Sequence, residues 1–220
     1  YYLNGSKIYE KNYQENEYDG LVKYWNKQGD QIFEGTYKFG KPNGTFKNWH
    51  SNTKLKNVGV FDFGLPVSFS SYYFHGTKHS EINYSKTTVN GDDLYFVKSK
   101  SQWHKNGKLY QKLEFLEKDS DVSEDYNPVF KYRYSGWYKT GKERFLLNYY
   151  IFDEEECGYL DPDMYADSYC NSGFFTGDQK FWYSNGQLGE HVKISSKEVQ
   201  INSWVPRGSK LFQGFWSLNS

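Results

Sequence analysis

Aromatic residues recur at fixed distances from small turn residues along the whole chain. Eight anchor positions set the register of this pattern: Gly5, Gly29, Thr53, Gly76, Gly107, Gly141, Gly186 and Gly208. Four residues before the anchors stand Tyr1, Trp25, Trp49, Tyr72, Trp103, Trp137, Trp182 and Trp204. Eight residues after them stand Tyr13, Tyr37, Phe61, Tyr84, Phe115, Tyr149, Ile194 and Trp216. Fifteen of these sixteen positions are aromatic in a chain that is 21% aromatic, so the pattern indicates a repeat protein.

Each repeat has the alternation and the turn residues of a β-hairpin. Apolar and polar residues alternate between Gly29 and Trp49, which predicts strands. The Lys-Gln-Gly and Phe-Gly-Lys segments predict tight turns, because glycine accepts the positive φ that a reversal needs. The second of these turns is centred on Gly40. Asn16 stands 24 residues before it and Gly64 stands 24 residues after it, so all three are predicted turn residues.

The repeats predict the fold class. A lone hairpin is marginally stable in water, so successive hairpins must stack to bury their aromatic side chains. We therefore expect an all-β protein, an elongated array of stacked antiparallel β-hairpins that forms a single twisted sheet. Residues 1–220 would make one repeat domain of about eight hairpins. Stacked aromatic pairs contribute roughly 0.5–1.5 kcal/mol each beyond the area they bury.

The repeat resembles a known family. The pattern N-G-K-x-x-x-E-x-x-Y-x-x-G-K-x-x-G-x-W is met most fully from Gly29 to Trp49, and its first part recurs at 106–109 and 185–188. Thr53 and Ser68 depart from it, since each stands where a glycine would recur. This pattern is similar to the MORN repeat, in the bacterial variant of YwqK-type antitoxin-like proteins. The resemblance implies a β-hairpin scaffold for protein interaction, in some members the neutralising half of a toxin pair, and no catalysis.

Three insertions interrupt the pattern, each at the same connection within its own repeat. They occupy residues 85–102, 116–136 and 150–181, each between the aromatic after one anchor and the aromatic before the next. Equivalent connections of a stacked array lie on the same edge, so we expect the insertions to cluster there. Loops on a rigid scaffold commonly carry binding.

Charge separates the insertions from the rest of the chain. The whole chain is neutral, but the three insertions together hold eight more acidic than basic residues. This predicts a basic protein partner, attracted to the acidic insertions. The alternative is that the acidic residues keep long insertions solvated. The predicted partner-binding residues are Asp119, Asp121, Glu124, Asp125, Asp153, Glu154, Glu155, Glu156, Asp161, Asp163 and Asp167.

A second binding hypothesis uses aromatic side chains. The segments 1–5 and 181–186 also resemble cell-wall-binding repeats, in which exposed aromatic rings stack on sugars. The residues of this predicted aromatic surface are Tyr24, Tyr73, Trp103, Trp137, Tyr138, Trp182 and Tyr183. The alternative is that these aromatics belong to the core. Nucleic acid is a weaker candidate partner, because the chain is neutral and has three arginines.

Catalytic and cofactor motifs are missing from the sequence. Five scattered histidines without helical or cysteine spacing predict no metal site, and no motif predicts a cofactor or a nucleophile. The carboxylates of 153–167 could supply oxygen ligands for calcium, but their spacing does not fit an EF-hand. Cys157 and Cys170 form either a disulfide or two free thiols. No apolar run is long enough to span a membrane.

The sequence leaves compartment and assembly open. Both a bacterial cytoplasm and, after removal of a signal peptide, a cell-envelope or secreted location are compatible with it. The last repeat is unfinished at Ser220, which leaves an open strand edge. Either more chain follows, or a partner or a second copy covers this edge, so a homo-oligomer is one expectation.

Overall fold

The computed structural model describes residues 1–89, 92–118, 130–151, 173–195, 198–206 and 208–217. Throughout these residues the backbone forms strands and turns, without a helix. The described strand pairs are antiparallel. The predicted all-β fold of antiparallel β-hairpins is therefore confirmed. None of the described segments is a helix long and apolar enough to cross a membrane.

The chain divides into two compact units. The N-terminal unit comprises Tyr1–Lys86 and Val97–Gly107, and the C-terminal unit comprises Thr87–Phe96 and Lys108–Ser220. The N-terminal unit contains β1 (Tyr9–Glu10), β2 (Tyr13–Gln14), β3 (Glu17–Tyr18), β4 (Gly20–Trp25), β5 (Gln31–Lys38), β6 (Lys41–Pro42), β7 (Gly44–Trp49), β8 (Leu55–Asp62) and β9 (Leu65–Tyr72). Both units take residues from β10 (Lys78–Val89) and β11 (Asp92–Trp103). The C-terminal unit contains β12 (Leu109–Lys118), β13 (Phe130–Trp137), β14 (Glu143–Ile151), β15 (Gly173–Phe175), β16 (Gly177–Trp182), β17 (Leu188–Ile194), β18 (Glu198–Trp204) and β19 (Lys210–Ser217).

Each strand pairs mainly with its neighbour in the chain. In the N-terminal unit β4, β5, β7, β8, β9 and β10 form such a meander, with β1 beside β4. In the C-terminal unit the meander runs through β12, β13, β14, β16, β17, β18 and β19, with β15 also beside β14. The local pairing is the hairpin repetition that the aromatic pattern predicts.

All eight anchors are turn residues in the left-handed backbone region. Their φ values lie between 63°, at Thr53, and 100°, at Gly76. Each anchor donates its backbone N–H to the carbonyl three residues earlier, at 2.7–3.0 Å. Glycine accepts this backbone conformation without steric cost, whereas a side chain at Cβ disfavours it. Thr53 is therefore the one strained anchor of the eight.

The opposite ends of the first hairpins turn at the residues predicted from their spacing. Asn16, Gly40 and Gly64 have φ values of 66°, 72° and 91°. In each turn the preceding residue also has a positive φ, and two such residues in succession are typical of the type I′ turn of hairpins. The Gly40 N–H donates to the Tyr18 carbonyl at 2.9 Å, so this turn is hydrogen-bonded to the preceding hairpin.

Aromatic rings of the N-terminal unit form one continuous chain of contacts. Tyr37, Phe61 and Tyr84 each stand eight residues after an anchor. Their rings are linked through Phe46 and Phe69, with ring centroids 5.1–6.4 Å apart. The rings meet edge to face, at interplanar angles between 74° and 88°. Edge-to-face contact is the favourable geometry for aromatic pairs. These five half-buried rings therefore pack as one row along the unit.

Glycines inside strands provide the space for these rings. The Phe46 ring lies against the Cα of Gly35, and the Phe145 ring lies against the Cα of Gly136. A Cβ at either glycine would stand well inside van der Waals distance of the ring. Both glycines therefore serve packing, whereas the anchor glycines serve backbone conformation.

Candidate functional site

The two long acidic connections leave the sheet from one row of the C-terminal unit. Lys118, the last residue of β12, is the cross-strand partner of Phe130, the first residue of β13. Phe130 in turn pairs with Ile151, and Ile151 pairs with Gly173. Neighbouring strands are about 4.8 Å apart, so the four chain positions span roughly 15 Å. The connections 119–129 and 152–172 therefore start and end side by side.

The acidic residues predicted to bind a partner lie in these two connections, outside the described residues. They are Asp119, Asp121, Glu124, Asp125, Asp153, Glu154, Glu155, Glu156, Asp161, Asp163 and Asp167. Cys157 and Cys170 lie outside the described residues as well. The structure thus gives the attachment points of the acidic connections, and the binding prediction stays a prediction.

A buried aromatic cluster anchors one side of the row. Phe130 and Tyr132 on β13 are each 1% exposed, and Phe96 on β11 is 6% exposed. The Phe96 ring lies 5.1 Å from the Phe130 ring and 4.8 Å from the Phe115 ring. Tyr132 continues the cluster to Tyr149 on β14, at 6.1 Å. Burial of several rings fixes the strands from which the acidic connections leave.

Two buried amides fix the strand that returns from the second connection. Gln179 on β16 and Asn148 on β14 are 4% and 8% exposed. The Gln179 side chain accepts the Asn148 N–H at 2.8 Å and donates to the Asn148 carbonyl at 2.9 Å. It also donates to the Thr176 carbonyl, at the break between β15 and β16. Sequence reasoning missed this pair, because a polar residue within a strand gives no sign of burial.

The seven residues of the predicted aromatic surface are all half-buried. Three of them use their hydroxyl groups inside the fold. Tyr73 donates to the Trp103 carbonyl at 2.8 Å, and Tyr138 donates to the Trp182 carbonyl at 2.9 Å. Tyr183 donates to the Trp204 carbonyl at 2.9 Å. Each bond joins the turn of one hairpin to the last strand residue before the next turn. The remaining four are Tyr24, Trp103, Trp137 and Trp182.

Polar residues of the N-G-K pattern at Thr53 and Gly141 bond one turn to the following one. At the third turn the Asn52 amide accepts the Lys54 N–H and donates to the Phe74 carbonyl at 2.8 Å. The Lys54 ammonium donates to the His75 carbonyl at 2.8 Å. In the C-terminal unit the Lys142 ammonium makes the equivalent bond, to a carbonyl of the turn at Gly186. The pattern is therefore explained by contacts between hairpins.

An acid–imidazole pair stands near the end of the third insertion. Asp178 Oδ1 lies 2.6 Å from His191 Nε2, and the hydrogen bond with His191 holds the pKa of Asp178 below its ordinary value. An open depression of about 300 Å³ beside the pair is also lined by Lys193, Glu198 and Gln200. Across the described ranges, no three His, Cys, Asp or Glu side chains converge on a possible metal site.

Strand β19 carries exposed apolar side chains. It pairs with β18, from Glu198 opposite Ser217 to Trp204 opposite Lys210. Leu211, Phe212 and Phe215 on this strand are 69%, 46% and 58% exposed. A homo-oligomer formed through a terminal strand stays a prediction.

Comparison with known proteins adds a distant structural likeness. No model of a known protein family matches the chain, and no curated protein matches it in sequence. Among solved structures, a porin-like protein from Bacteroides uniformis aligns with 90% of this chain and 86% of its own. The sequence identity is 12% and the TM-score is 0.28. A TM-score this low supports no argument about fold or function.

Proposed function

We propose that this protein is a non-catalytic scaffold that binds a basic protein partner through the acidic connections 119–129 and 152–172. The observation that carries the proposal is the cross-strand row of Lys118, Phe130, Ile151 and Gly173. Because the ends of both connections stand within roughly 15 Å of each other, their carboxylates are available to the same partner surface.

The charge distribution supports a basic partner. The insertions hold eight more acidic than basic residues, and the rest of the chain holds the opposite excess. A local concentration of one sign steers a partner of the other sign and raises the association rate, even when the whole molecule is neutral. The buried cluster around Phe130 and Tyr132 keeps the attachment points in place without the partner.

An antitoxin or immunity role is the specific form of this proposal. It rests on the resemblance of the Gly29–Trp49 pattern to the repeat of YwqK-type antitoxin-like proteins. A protein of this kind neutralises a toxin by covering part of its surface, and acidic connections suit a toxin with a cationic surface.

Glycan binding is the weaker candidate. It requires aromatic faces open to a sugar, whereas all seven residues of the predicted aromatic surface are half-buried. The hydroxyl groups of Tyr73, Tyr138 and Tyr183 are also engaged by main-chain carbonyls. Protein recognition through the acidic connections is therefore favoured.

Affinity capture from a native lysate with matched baits tests the proposal. The first bait is the wild-type chain. The second carries Asp153→Asn, Glu154→Gln, Glu155→Gln and Glu156→Gln. The control removes the same number of charges at exposed sites elsewhere, with Glu15→Gln, Asp62→Asn, Glu143→Gln and Glu198→Gln. We expect one basic protein to be held by the wild type and the control and depleted on the second bait. Equal capture by all three baits, or no basic protein on any, would contradict the proposal.

A further inference from the structure

The ammonium group of Lys11 stands inside a cage of three tyrosines. Its Nζ atom lies 4.7 Å from the ring centroid of Tyr9, 5.5 Å from that of Tyr18 and 5.4 Å from that of Tyr24. It also donates a hydrogen bond to the Tyr18 hydroxyl at 3.1 Å. A cation within about 6 Å of an aromatic face is attracted by the negative potential of the ring. The rings of Tyr9 and Tyr24 and the hydroxyl of Tyr18 therefore act on one charge.

The walls of the cage are held by the fold. Tyr24 packs against Phe33 at 5.5 Å, and Tyr18 packs against Tyr37 at 5.2 Å. Tyr37 belongs to the aromatic chain of the N-terminal unit, and the Phe33 ring lies 6.0 Å from the Phe46 ring of that chain. Tyr9 lies on β1 directly opposite Tyr24 in the strand pairing. Removal of the cation would therefore leave the rings near their present positions.

The chain segment that carries Lys11 is also anchored. The Asp19 N–H donates to the Asn12 carbonyl at 3.1 Å, and the Asn12 amide donates to the Leu21 carbonyl at 2.6 Å. Only the flexible side chain of Lys11 reaches into the cage. Rotation of that side chain is enough to open the cage, without movement of the backbone.

Ring faces and hydroxyl groups, rather than a carboxylate, stabilise the charge of Lys11. Within the described residues, no carboxylate lies at ion-pair distance from its ammonium group. The hydrogen bond with the Tyr18 hydroxyl is the main cause that holds the pKa of Lys11 above its ordinary value. The cage thus suits a positive charge that brings no counterion.

We propose that Tyr9, Tyr18 and Tyr24 form a binding site for a small quaternary ammonium cation, and that Lys11 occupies this site in the free protein. A quaternary ammonium group is less strongly hydrated than the ammonium of lysine, so ring contact costs it less desolvation. Tyr9 is 55% exposed, which gives a ligand access from solvent. The site lies in the N-terminal unit and is independent of the acidic connections.

Titration with tetramethylammonium chloride tests the proposal. The proteins are the full-length wild type, Lys11→Ala and the control Lys56→Ala, which removes an exposed lysine on β8. Lys11 competes as a tethered ligand, so its removal should tighten tetramethylammonium binding about tenfold, while Lys56→Ala leaves it at the wild-type value. tert-Butanol, a neutral molecule of similar shape, should not bind detectably. Equal affinity of folded Lys11→Ala and wild type, or equal binding of the alcohol, would overturn the proposal.

Two further readouts test the ring contact of Tyr9 and the displacement of Lys11 directly. In the Lys11→Ala background, Tyr9→Leu should weaken tetramethylammonium binding about fivefold, because the ring face of Tyr9 is lost. In the wild type, ring currents shift the ε-methylene NMR signal of Lys11, and tetramethylammonium should move it saturably toward the value of an exposed lysine. An unmoved Lys11 signal at saturating cation, or binding that is unaffected by Tyr9→Leu, would show that the cage serves stability alone.

Discussion

The hydroxyl of Tyr138 donates a hydrogen bond to the main-chain carbonyl of Trp182, at 2.9 Å and across 44 residues of sequence. Tyr138 stands three residues before one anchor and Trp182 stands four residues before the next. The same pair of repeat positions is joined in the bond from Tyr183 to Trp204. The bond therefore has a constant place in the repeat, although the insertion 150–181 separates Tyr138 from Trp182 in the sequence.

Removing this hydroxyl should weaken the C-terminal unit. We expect Tyr138→Phe to lower the free energy of unfolding by about 1 kcal/mol, because a partly buried carbonyl loses its donor. Tyr183→Phe should have a similar effect. Urea denaturation followed by circular dichroism measures both, with Tyr1→Phe as control because Tyr1 is 83% exposed. A variant as stable as the control would show that the hydroxyl contributes nothing.

A methyl group at Gly136 should disturb the packing of Phe145. Gly136→Ala places a Cβ against that ring, and overpacking of this kind costs roughly 1–3 kcal/mol. Phe145→Leu in the Gly136→Ala background should recover part of the loss, because the smaller side chain vacates the space. Thermal and urea unfolding of the single and double variants measure the coupling. Strictly additive losses would contradict the contact as the cause.

Replacing the one strained anchor should stabilise the N-terminal unit. Thr53 adopts a φ of 63°, which a β-branched side chain disfavours by about 1–2 kcal/mol. Glycine removes this strain but adds conformational freedom to the unfolded chain. Thr53→Gly should therefore raise the free energy of unfolding by roughly 0.5–1 kcal/mol. The reverse change at an equivalent anchor, Gly29→Thr, should destabilise. Urea unfolding that gives both variants the same sign of change would contradict this explanation.

Low pH should remove the contribution of the Asp178 carboxylate to the free energy of unfolding. Its pKa is lowered by the hydrogen bond with His191, so the folded state favours the carboxylate more than the unfolded state does. The associated stability is present above the unfolded pKa, near 3.8, and is lost as the pH falls through the lower folded pKa. The stability difference between wild type and Asp178→Asn should therefore shrink as the pH falls from about 5 toward 2. An Asp178→Asn difference that grew as the pH fell from about 5 toward 2 would contradict the sign.

The fold was predictable because the sequence features that specify it, the turn residues and their spacing, are local. The anchors impose one turn geometry, and the spacing that places Asn16 and Gly64 around Gly40 identifies the opposite turns. Contacts between hairpins were not predictable in the same way. The bond from Tyr138 to Trp182 depends on strand register, and the burial of Gln179 depends on the break between β15 and β16. Neither leaves a distinct pattern of hydrophobic and polar residues.

The candidate sites were predictable only in part. The equivalence of the insertions indicated a common edge, and the row from Lys118 to Gly173 gives the attachment points of the acidic connections in the second and third insertions. The acidic side chains themselves lie outside the described residues. The tyrosine cage was missed because Tyr9 and Tyr24 become neighbours only through the pairing of β1 with β4.

The association rate constant between the chain and the captured basic partner, at about 50 and 300 mM salt, tests the central claim most directly. Two proteins are compared, the wild type and a variant with all eleven acidic residues of the two connections replaced by amides. The account predicts a fast association for the wild type that slows steeply with salt, and a slow, nearly salt-independent association for the variant. Equal rate constants and equal salt dependence for the two proteins would contradict binding through the acidic connections.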